Sequence, residues 1–504
     1  MSWSQGGWEM VVGLEVHVEL ATETKLFSAS PNRFGDEPNT NIDPVTLGLP
    51  GALPVLNRHA VELAIRIGLA LNCTVQSCTF ARKNYFYPDM PTSYQISQYE
   101  DPINIDGWLD LPDGSRVGIE RAHIEQDAGK STHVGGGEGR VHGADHSLID
   151  LNRAGVPLVE IVSRPEIDSP DQAKAYVAEV RAILLAIGAS DAKMEEGSMR
   201  VDANVSVRHP GDPLGTRCEI KNVNSVRSVG RAIEYEARRQ IILIESGEAV
   251  RQQTRHWDEG DGRTHTLRDK EDADDYRYFL EPDLVPLNPS DEWIESVRAS
   301  LPMLPAARRS RLADAAGLAA DSEAVGIVVD RGQDDYAFAV QAAGGDIGRT
   351  VVHLKEAFAD EGADPSLSAA DLAGLTRLEV DGALTATQAK TVLAELIERG
   401  GGDEAAADNT GTSAVTLEDA TSTASGLYTA AATKIAAEHG FEAMDTFELD
   451  AMVDDAIAAQ PEAWAKFCAG EGKAMGALVG QVMKTSRGQA DGKLVTQILN
   501  QRKP

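Results

Sequence analysis

From Val11 to about Pro289 apolar and polar residues alternate in short runs broken by Gly and Pro, the pattern of strands joined by loops. Two segments inside that stretch switch to a helical spacing. One opens on Ser169-Pro170-Asp171, a cap followed by proline at the first helical position, and Tyr176, Val177, Val180, Ile183, Leu184 and Ile187 carry it to Gly188. The other is predicted from about Val229 to Gly247. Between Trp293 and about Arg399 the chain is Ala-rich, with apolar residues three and four apart and almost no strand signal, which predicts a separate helical domain. A Gly-rich, then acidic and Thr-rich stretch from Gly400 to about Glu418 predicts a linker, and residues from about Ser425 onward a small helical domain. The expected fold class is α+β: a mixed or antiparallel sheet domain over residues 1–290, a helical domain over 291–405, and a linker with a helical tail over 406–504. No repeat of about 20 to 50 residues is present, which excludes solenoids and propellers.

Four polar clusters interrupt the strand pattern. In Gly13–Leu20 the alternation is strict, so Glu15, His17 and Glu19 share one face and Leu14, Val16 and Val18 the other. Taken alone, such a run more often marks a solvated strand face. Oxygen ligands with one imidazole suit a divalent ion carrying ATP phosphates, whereas a structural zinc wants more His or Cys. In Glu120–His133 an extended chain puts His123, Glu125 and Asp127 on one face. The following Gly129-Lys130-Ser131-Thr132 imitates the end of a P-loop, but the glycine required five residues earlier is Ile124, so the motif is rejected. Lys130 and Ser131 remain candidates for a phosphate nest, with a plain turn as the simpler reading. Glu160 interrupts an apolar strand and needs a partner there, an arginine or a metal. Finally Arg200, Asp202, Asn204 and Ser206 alternate with Met199, Val201, Ala203 and Val205, offering charged and polar groups to a nucleotide from one face. Four such clusters in one domain predict a wide polar cavity built on a sheet. The aromatic segments Arg82–Asp89 and Ser93–Gln98 would wall it, unless their tyrosines are ordinary core residues.

Composition changes this picture in two places. The net charge of -32, with 79 acidic residues against 47 basic and 15 Lys against 32 Arg, is that of a salt-adapted protein. High salt screens the mean field, so local patches decide what binds. Between Lys466 and Pro504 seven basic residues face two acidic ones, a local net of +5. Met475, Leu478, Val479, Val482 and Met483 recur there at helical spacing, which leaves Lys484 and Arg487 near the end of a helix, with Lys493 beyond. Of four cysteines only Cys73 and Cys78 resemble half a zinc site, and nothing completes it, so reduced thiols in a cytoplasm are expected. The N-terminal residues lack a basic head with an apolar core, and no run of 18 apolar residues occurs, so neither secretion nor a membrane span is expected.

The segments GLEVHVEL, ARKNYFYPDMPTSYQISQYEDPI, HIEQDAGKSTH, IDLNRAGVPLVEIVSRPEI, KMEEGSMRVDANVSVR, EIKNVNSV and DDYRYFLEPDLVPL closely resemble the B subunit of the glutamyl/aspartyl-tRNA amidotransferase family. The match is collinear from about Gly13 to Pro286 and resumes in GKAMGALVGQVMKTSRGQADGKLVTQIL. The resemblance implies a cradle-shaped catalytic domain, a helical domain and a tail, working with an amidase, the A subunit, and with a small C subunit. The amidase would release ammonia from glutamine and a tunnel would deliver it. ATP would phosphorylate the side-chain carboxylate of Glu or Asp esterified to tRNA, and ammonia would displace the phosphate, a ligase reaction forming a carbon–nitrogen bond. Carried over, Glu15, His17, Glu125 and Glu160 surround a magnesium ion, Asp127 lies near the tunnel exit, and Lys83, Tyr85 and Gln126 lie along the tunnel. Relatives commonly carry a second acid where this chain has neutral Gln126, which puts charge-based gating there in doubt. Thr92 stands where many have Lys. The basic tail is then expected to hold the tRNA body through Lys484, Arg487 and Lys493.

Two other readings make different demands. A non-catalytic tRNA adaptor needs basic patches without a metal-binding constellation, which the four clusters oppose. A stand-alone metal hydrolase explains the acids but not the tail. Hydrolysing glutamine needs an activated Ser or Cys beside a base, and no such setting is visible, in line with ammonia from a partner.

Overall fold

The computed structural model describes residues 2–135, 143–269, 276–359, 362–363, 365–400, 424–441, 446–486, 490 and 492–503. It divides into two compact units, Met1–Ala307 and Arg308–Pro504.

The first unit begins with β1 (Ser4–Gln5), β2 (Trp8–Glu19), β3 (Thr74–Val75), β4 (Ala81–Asn84) and β5 (Tyr94–Ser97). Then come β6 (Asn104–Asp110), β7 (Arg116–Gln126), β8 (Lys130–Val134), β9 (His146–Asp150) and β10 (Pro157–Ser163). The last strands are β11 (Met199–Arg208), β12 (Cys218–Val223), β13 (Gln253–Asp258), β14 (Arg263–Asp269) and β15 (Phe279–Leu280). The helices are α1 (Arg58–Ala70), α2 (Pro170–Ala186), α3 (Val226–Glu245) and α4 (Asp291–Ala299). The main sheet runs β14-β13-β12-β11-β2-β10-β7-β6-β3, with β1 paired to β2. Its pairings are antiparallel except β12 with β13. A smaller sheet β15-β4-β5 and a ribbon of β8 with β9 complete the α+β architecture.

Alternation decides which side of the main sheet is covered. Met10, Val12, Leu14, Val16 and Val18 of β2 are buried, and they form one apolar cluster with residues of α1, α2 and α3. The polar face opposite is left for the site. Helix α2 starts as its sequence requires, Ser169 accepting from the Gln172 N–H ahead of Pro170. Helix α3 starts at Val226, earlier than the expected Val229, because Ser225 caps it by accepting from the Ser228 N–H. Helix α1 is an addition to the sequence reading: Arg58, His59, Glu62 and Arg66 form its polar stripe, the other side is buried, and Asn57 caps it by accepting from the His59 and Ala60 N–H groups. It lies so close to β6 that a Cβ on Gly68 would stand 1.9 Å from Asn104 Oδ1. Helix α4 packs on α1, with the Arg58 guanidinium 4.9 Å from the centre of the Trp293 indole, so it goes with the sheet rather than with the helices that follow.

The second unit is helical throughout its described residues and holds two apolar clusters. The first includes Leu312, Val328, Val351, Leu372 and Val392, and it takes in Ile435 of the helix Ala424–Glu438, which the sequence grouped with the tail. The second gathers Val453, Phe467, Leu478, Val482 and Leu499. Among the described residues no helix is long and apolar enough to cross a membrane. All four cysteines are unpaired thiols.

Candidate active site

Strand alternation and register together build the site. His17 of β2 stands in register with Glu160 of β10 on one side and Arg200 of β11 on the other, and Glu15 stands opposite Asp202. Glu160 in turn pairs with His123 of β7, so Glu125, two residues on, shares that face. From β12, Lys221 donates a hydrogen bond to Asp202, and its Nζ lies 3.2 Å from Glu219 Oε1.

His17 is the hub. Its Nδ1 lies 3.4 Å from Glu125 Oε1 and 4.0 Å from Glu160 Oε2, while its Nε2 lies 3.7 Å from Asp202 Oδ2. His123 Nε2 lies 3.4 Å from Glu160 Oε2 and 3.9 Å from Glu125 Oε2. Two triads whose ligand atoms all lie within 4.8 Å of one another share this imidazole, His17–Glu125–Glu160 and Glu15–His17–Asp202. The four residues expected around one ion therefore do not close on a single point. Register is the reason: Glu15 sits one face-sharing position beyond His17, on the Asp202 side, where Asn204 Nδ2 donates to Glu15 Oε1 at 2.9 Å.

The electrostatics favour a cation. Burial pushes the Glu15 carboxyl up, and Glu160, Glu219 and Asp202 add to the rise. Burial works to lower the His17 imidazole, but Glu160, Asp202 and Glu125 outweigh it and hold the ring well above its ordinary range. Burial also opposes ionised Glu125, yet His17, His123 and Lys83 bring it down to about 2. Asp202 is held low against burial by Lys221 and His17. Burial and the neighbouring Asp127 push Glu19 up to about 7. Carboxylates crowded around one imidazole are a donor set for a hard divalent ion such as magnesium. His123 Nδ1 is buried without a hydrogen-bond partner among the described residues, and burial holds that ring below its ordinary range although Glu160 and Glu125 work the other way.

The other residues singled out in the sequence fall in several places. A cavity of about 380 Å³ is lined by His17, Glu125, Asp127, Arg200, Asp202 and Lys221. Asp127 Oδ2 accepts from Arg200 Nη2 at 2.6 Å and lies 3.4 Å from Arg153 Nε. Lys130 and Ser131 belong to the β8–β9 ribbon, a regular strand rather than a nest, and Lys130 lines a separate groove of about 530 Å³ with Glu19 and Arg153. The Lys83 ammonium lies 4.7 Å from the centre of the Tyr276 ring, and Tyr85 leans on Tyr87 at 4.5 Å. Gln126 faces away from Glu125 into a small cavity with Lys25 and Thr92, its Nε2 3.9 Å from Met90 Sδ. In the tail, Lys484 is exposed at the end of the helix Met475–Thr485, whose Leu478 and Val482 are buried. Arg487 lies outside the described residues, and so does the side chain of Lys493 on the helix Gly492–Gln501.

Sequence reasoning gave no role to Lys221, Arg153 or Tyr278. The alternation Glu219-Ile220-Lys221 was a usable signal for the first. For Tyr278 there was none: its ring stacks on Tyr99 at 4.2 Å, and burial together with Glu125 and Glu160 pushes its phenol up, which sets it beside the acids.

Residues 10–295 match the GatB/GatE catalytic domain family, and residues 360–502 match the GatB domain family. The curated B subunit of the aspartyl/glutamyl-tRNA(Asn/Gln) amidotransferase of Salinispora tropica is 46% identical over 98% of this chain and 96% of its own length. The corresponding protein of Cutibacterium acnes is 46% identical over the same shares, and that of Frankia casuarinae 44% identical over 98% and 95%. With both halves matched and the relatives covered almost end to end, the chain belongs to the B-subunit family of the aspartyl/glutamyl-tRNA(Asn/Gln) amidotransferases.

Proposed function

We propose that this chain is the transamidating subunit that uses ATP to convert Glu or Asp esterified to the wrong tRNA into Gln or Asn, with ammonia supplied by a glutaminase partner. The observation that carries the reading is the pair of triads sharing His17, which with Glu125 and Asp202 lines a polar cavity. An adaptor that only docked tRNA would gain nothing from crowding Glu15, Glu125, Glu160 and Asp202 around one imidazole, since each buried carboxylate destabilises the fold unless a cation answers it. The adaptor reading is set aside on that ground.

In this reading a side-chain carboxylate oxygen attacks the γ-phosphorus of ATP and ADP leaves. Ammonia then adds to the acyl carbon, and the C–O bond to phosphate breaks as one proton is released. Carboxylates are poor electrophiles, so the activation is needed, and its transition state must have its negative charge neutralised. Glu125, Glu160 and His17, with Glu15 and Asp202 adjoining, would hold a magnesium ion, which would supply that neutralisation. The chain's own share is orientation. Asp127 fixes the Arg200 guanidinium at the cavity wall, Asn204 orients Glu15, and Lys221 holds Asp202. The Tyr278 ring, stacked on Tyr99, stands beside Glu125 and Glu160.

The amidase (the A subunit) and the small C subunit are the proposed partners, and the cytoplasm the proposed setting. Lys83, Tyr85 and Gln126 are the proposed tunnel segment, where neutral Gln126 rules out gating by its own ionisation. Of the residues proposed for the nucleotide, Arg200 and Asp202 line the acidic cavity and Asn204 bonds to Glu15 beside it, whereas Lys130 and Ser131 lie on the β8–β9 ribbon, so the first three are the better supported. The tail, with Lys484 exposed, is proposed for the tRNA body. The test is ATP consumption by the reconstituted complex. It should depend on misacylated tRNA, and the purified chain alone should not hydrolyse glutamine. ATP use indifferent to the tRNA's amino acid, or glutaminase activity in the single chain, would count against the assignment.

A further inference from the structure

A row of charged side chains, Arg200, Asp127 and Arg153, links two cavities. On one side is the cavity of about 380 Å³ with His17 and Arg200. On the other is the groove of about 530 Å³, whose inner wall includes Glu19 and Arg153, and this size suits a nucleoside carrying a small ester. Asp127 stands between, accepting from Arg200 Nη2 at 2.6 Å on the cavity side and 3.4 Å from Arg153 Nε on the groove side. Glu19 belongs to the same knot. It lies two residues beyond His17 on β2, and Arg200 stands opposite His17 on β11. Such diagonal neighbours lie roughly 7–8 Å apart in an antiparallel pair, within reach of two long side chains. The same place therefore carries two acids, Glu19 and Asp127, and two guanidinium groups, Arg200 and Arg153.

A tRNA esterified with Glu or Asp ends in a group of the same kind. Its free α-ammonium and its side-chain carboxylate are separated by only one or two methylenes, and together they are neutral. Acids and guanidinium groups side by side offer each charge of such an end an opposite partner. Only one orientation serves the chemistry, because the carboxylate must enter the cavity with the acids and the nucleoside must stay in the groove. We propose that Glu19 and Arg200 form the subsite for the aminoacyl end, Glu19 accepting from the α-ammonium on the groove side and Arg200 donating to the reacting carboxylate. This rests on the catalytic reading above. It supplies a direction to the reaction: amidation removes the carboxylate charge, so the charge-assisted bond from Arg200 is lost and the product is not held. It also supplies selectivity against carboxylates that have no neighbouring ammonium.

The experiment compares misacylated tRNA with its N-acetylated form, in which the ammonium has become a neutral amide, on the enzyme assembled with its partner subunits. Loss of a charge-assisted hydrogen bond predicts that acetylation lowers kcat/KM of the wild type roughly 10- to 100-fold. Glu19→Gln should lose about the same factor on the free-ammonium substrate and little more on acetylation, with KM for ATP unchanged. A full acetylation penalty in Glu19→Gln overturns the proposal, and so does the absence of any penalty in the wild type. A raised KM for ATP with the penalty intact overturns it in favour of a nucleotide role. If Glu19→Gln fails to assemble, Glu19→Asp decides, since retracting the carboxylate by one methylene should shrink the penalty severalfold, and an undiminished penalty refutes the contact. A wild-type enzyme that uses no ATP with misacylated tRNA overturns the catalytic reading itself, and the subsite with it.

Discussion

Lys25 provides the sharpest physical test of how the site is held. Its side chain is only 1% exposed, and its Nζ donates to the carbonyls of Ala154 at 2.7 Å and Leu151 at 3.2 Å. Those carbonyls belong to the turn that carries Arg153 and leads into β10 with Glu160. Burial pushes the ammonium down from 10.5 to about 8, although Asp43 and Asp150 work the other way. Below pH 8 the lysine is charged whether the chain is folded or not, and the penalty for burying it is present in full. Between about 8 and 10.5 the unfolded chain holds the proton and the folded chain does not, so stability must rise with pH across that window. Above it both forms are neutral. A shift of 10.5 minus 8 amounts to roughly 3 kcal/mol at about 1.36 kcal/mol per unit. Lys25→Met keeps most of the volume and removes the titration, at the cost of two unsatisfied carbonyls. Urea unfolding of both proteins from pH 7.5 to 10.5, at fixed ionic strength, isolates the effect, because every other titrating group cancels in the difference. The wild type should gain roughly 3 kcal/mol on the variant across the window. Parallel curves would refute the argument, since they would mean that burial does not shift the Lys25 ammonium between the unfolded and the folded chain.

Three further outcomes are expected. Glu160→Ala removes the carboxylate shared by His17 and His123 and should cut tRNA-dependent ATP use at least about 100-fold with the fold retained by circular dichroism; near-normal ATP use in a folded complex would remove Glu160 from the site. Deleting residues from 446 onward, which takes away the tail cluster but leaves Ile435 in its own, should weaken tRNA binding and flatten its salt dependence by about one unit of slope per lost phosphate contact without affecting assembly; unchanged affinity would give the tail another role. Gly68→Ala should destabilise the first unit by at least about 1–3 kcal/mol in thermal or urea unfolding, because its Cβ meets Asn104 Oδ1 at 1.9 Å; a neutral result would show that α1 stands farther from β6.

What the sequence determined by itself was local. A period of two along Gly13–Leu20 put Glu15, His17 and Glu19 on one face, and Ser169-Pro170 started α2, because alternation and capping are settled by residues a few positions apart. The family was legible in the same way, from long collinear segments. Which strands lie side by side is not a local property. Only the order β11-β2-β10-β7 brings His123 and Glu160 to His17, and only the register of β2 on β11 sends Glu15 to the Asp202 side rather than to Glu125. The same order brings Arg200 to the wall with Asp127, and β12 beside β11 delivers Lys221 to Asp202. Helix α1 carried local signals of its own, the Asn57 cap and the stripe of Arg58, Glu62 and Arg66, so its place in the chain was legible and only its packing on β6 was not. The helix Ala424–Glu438 left the tail because Ile435 and Ala436 found a larger apolar surface in the preceding cluster. Pairing across long separations in sequence is decided by the total apolar area the folded unit can close over, and no window of neighbouring residues contains that quantity.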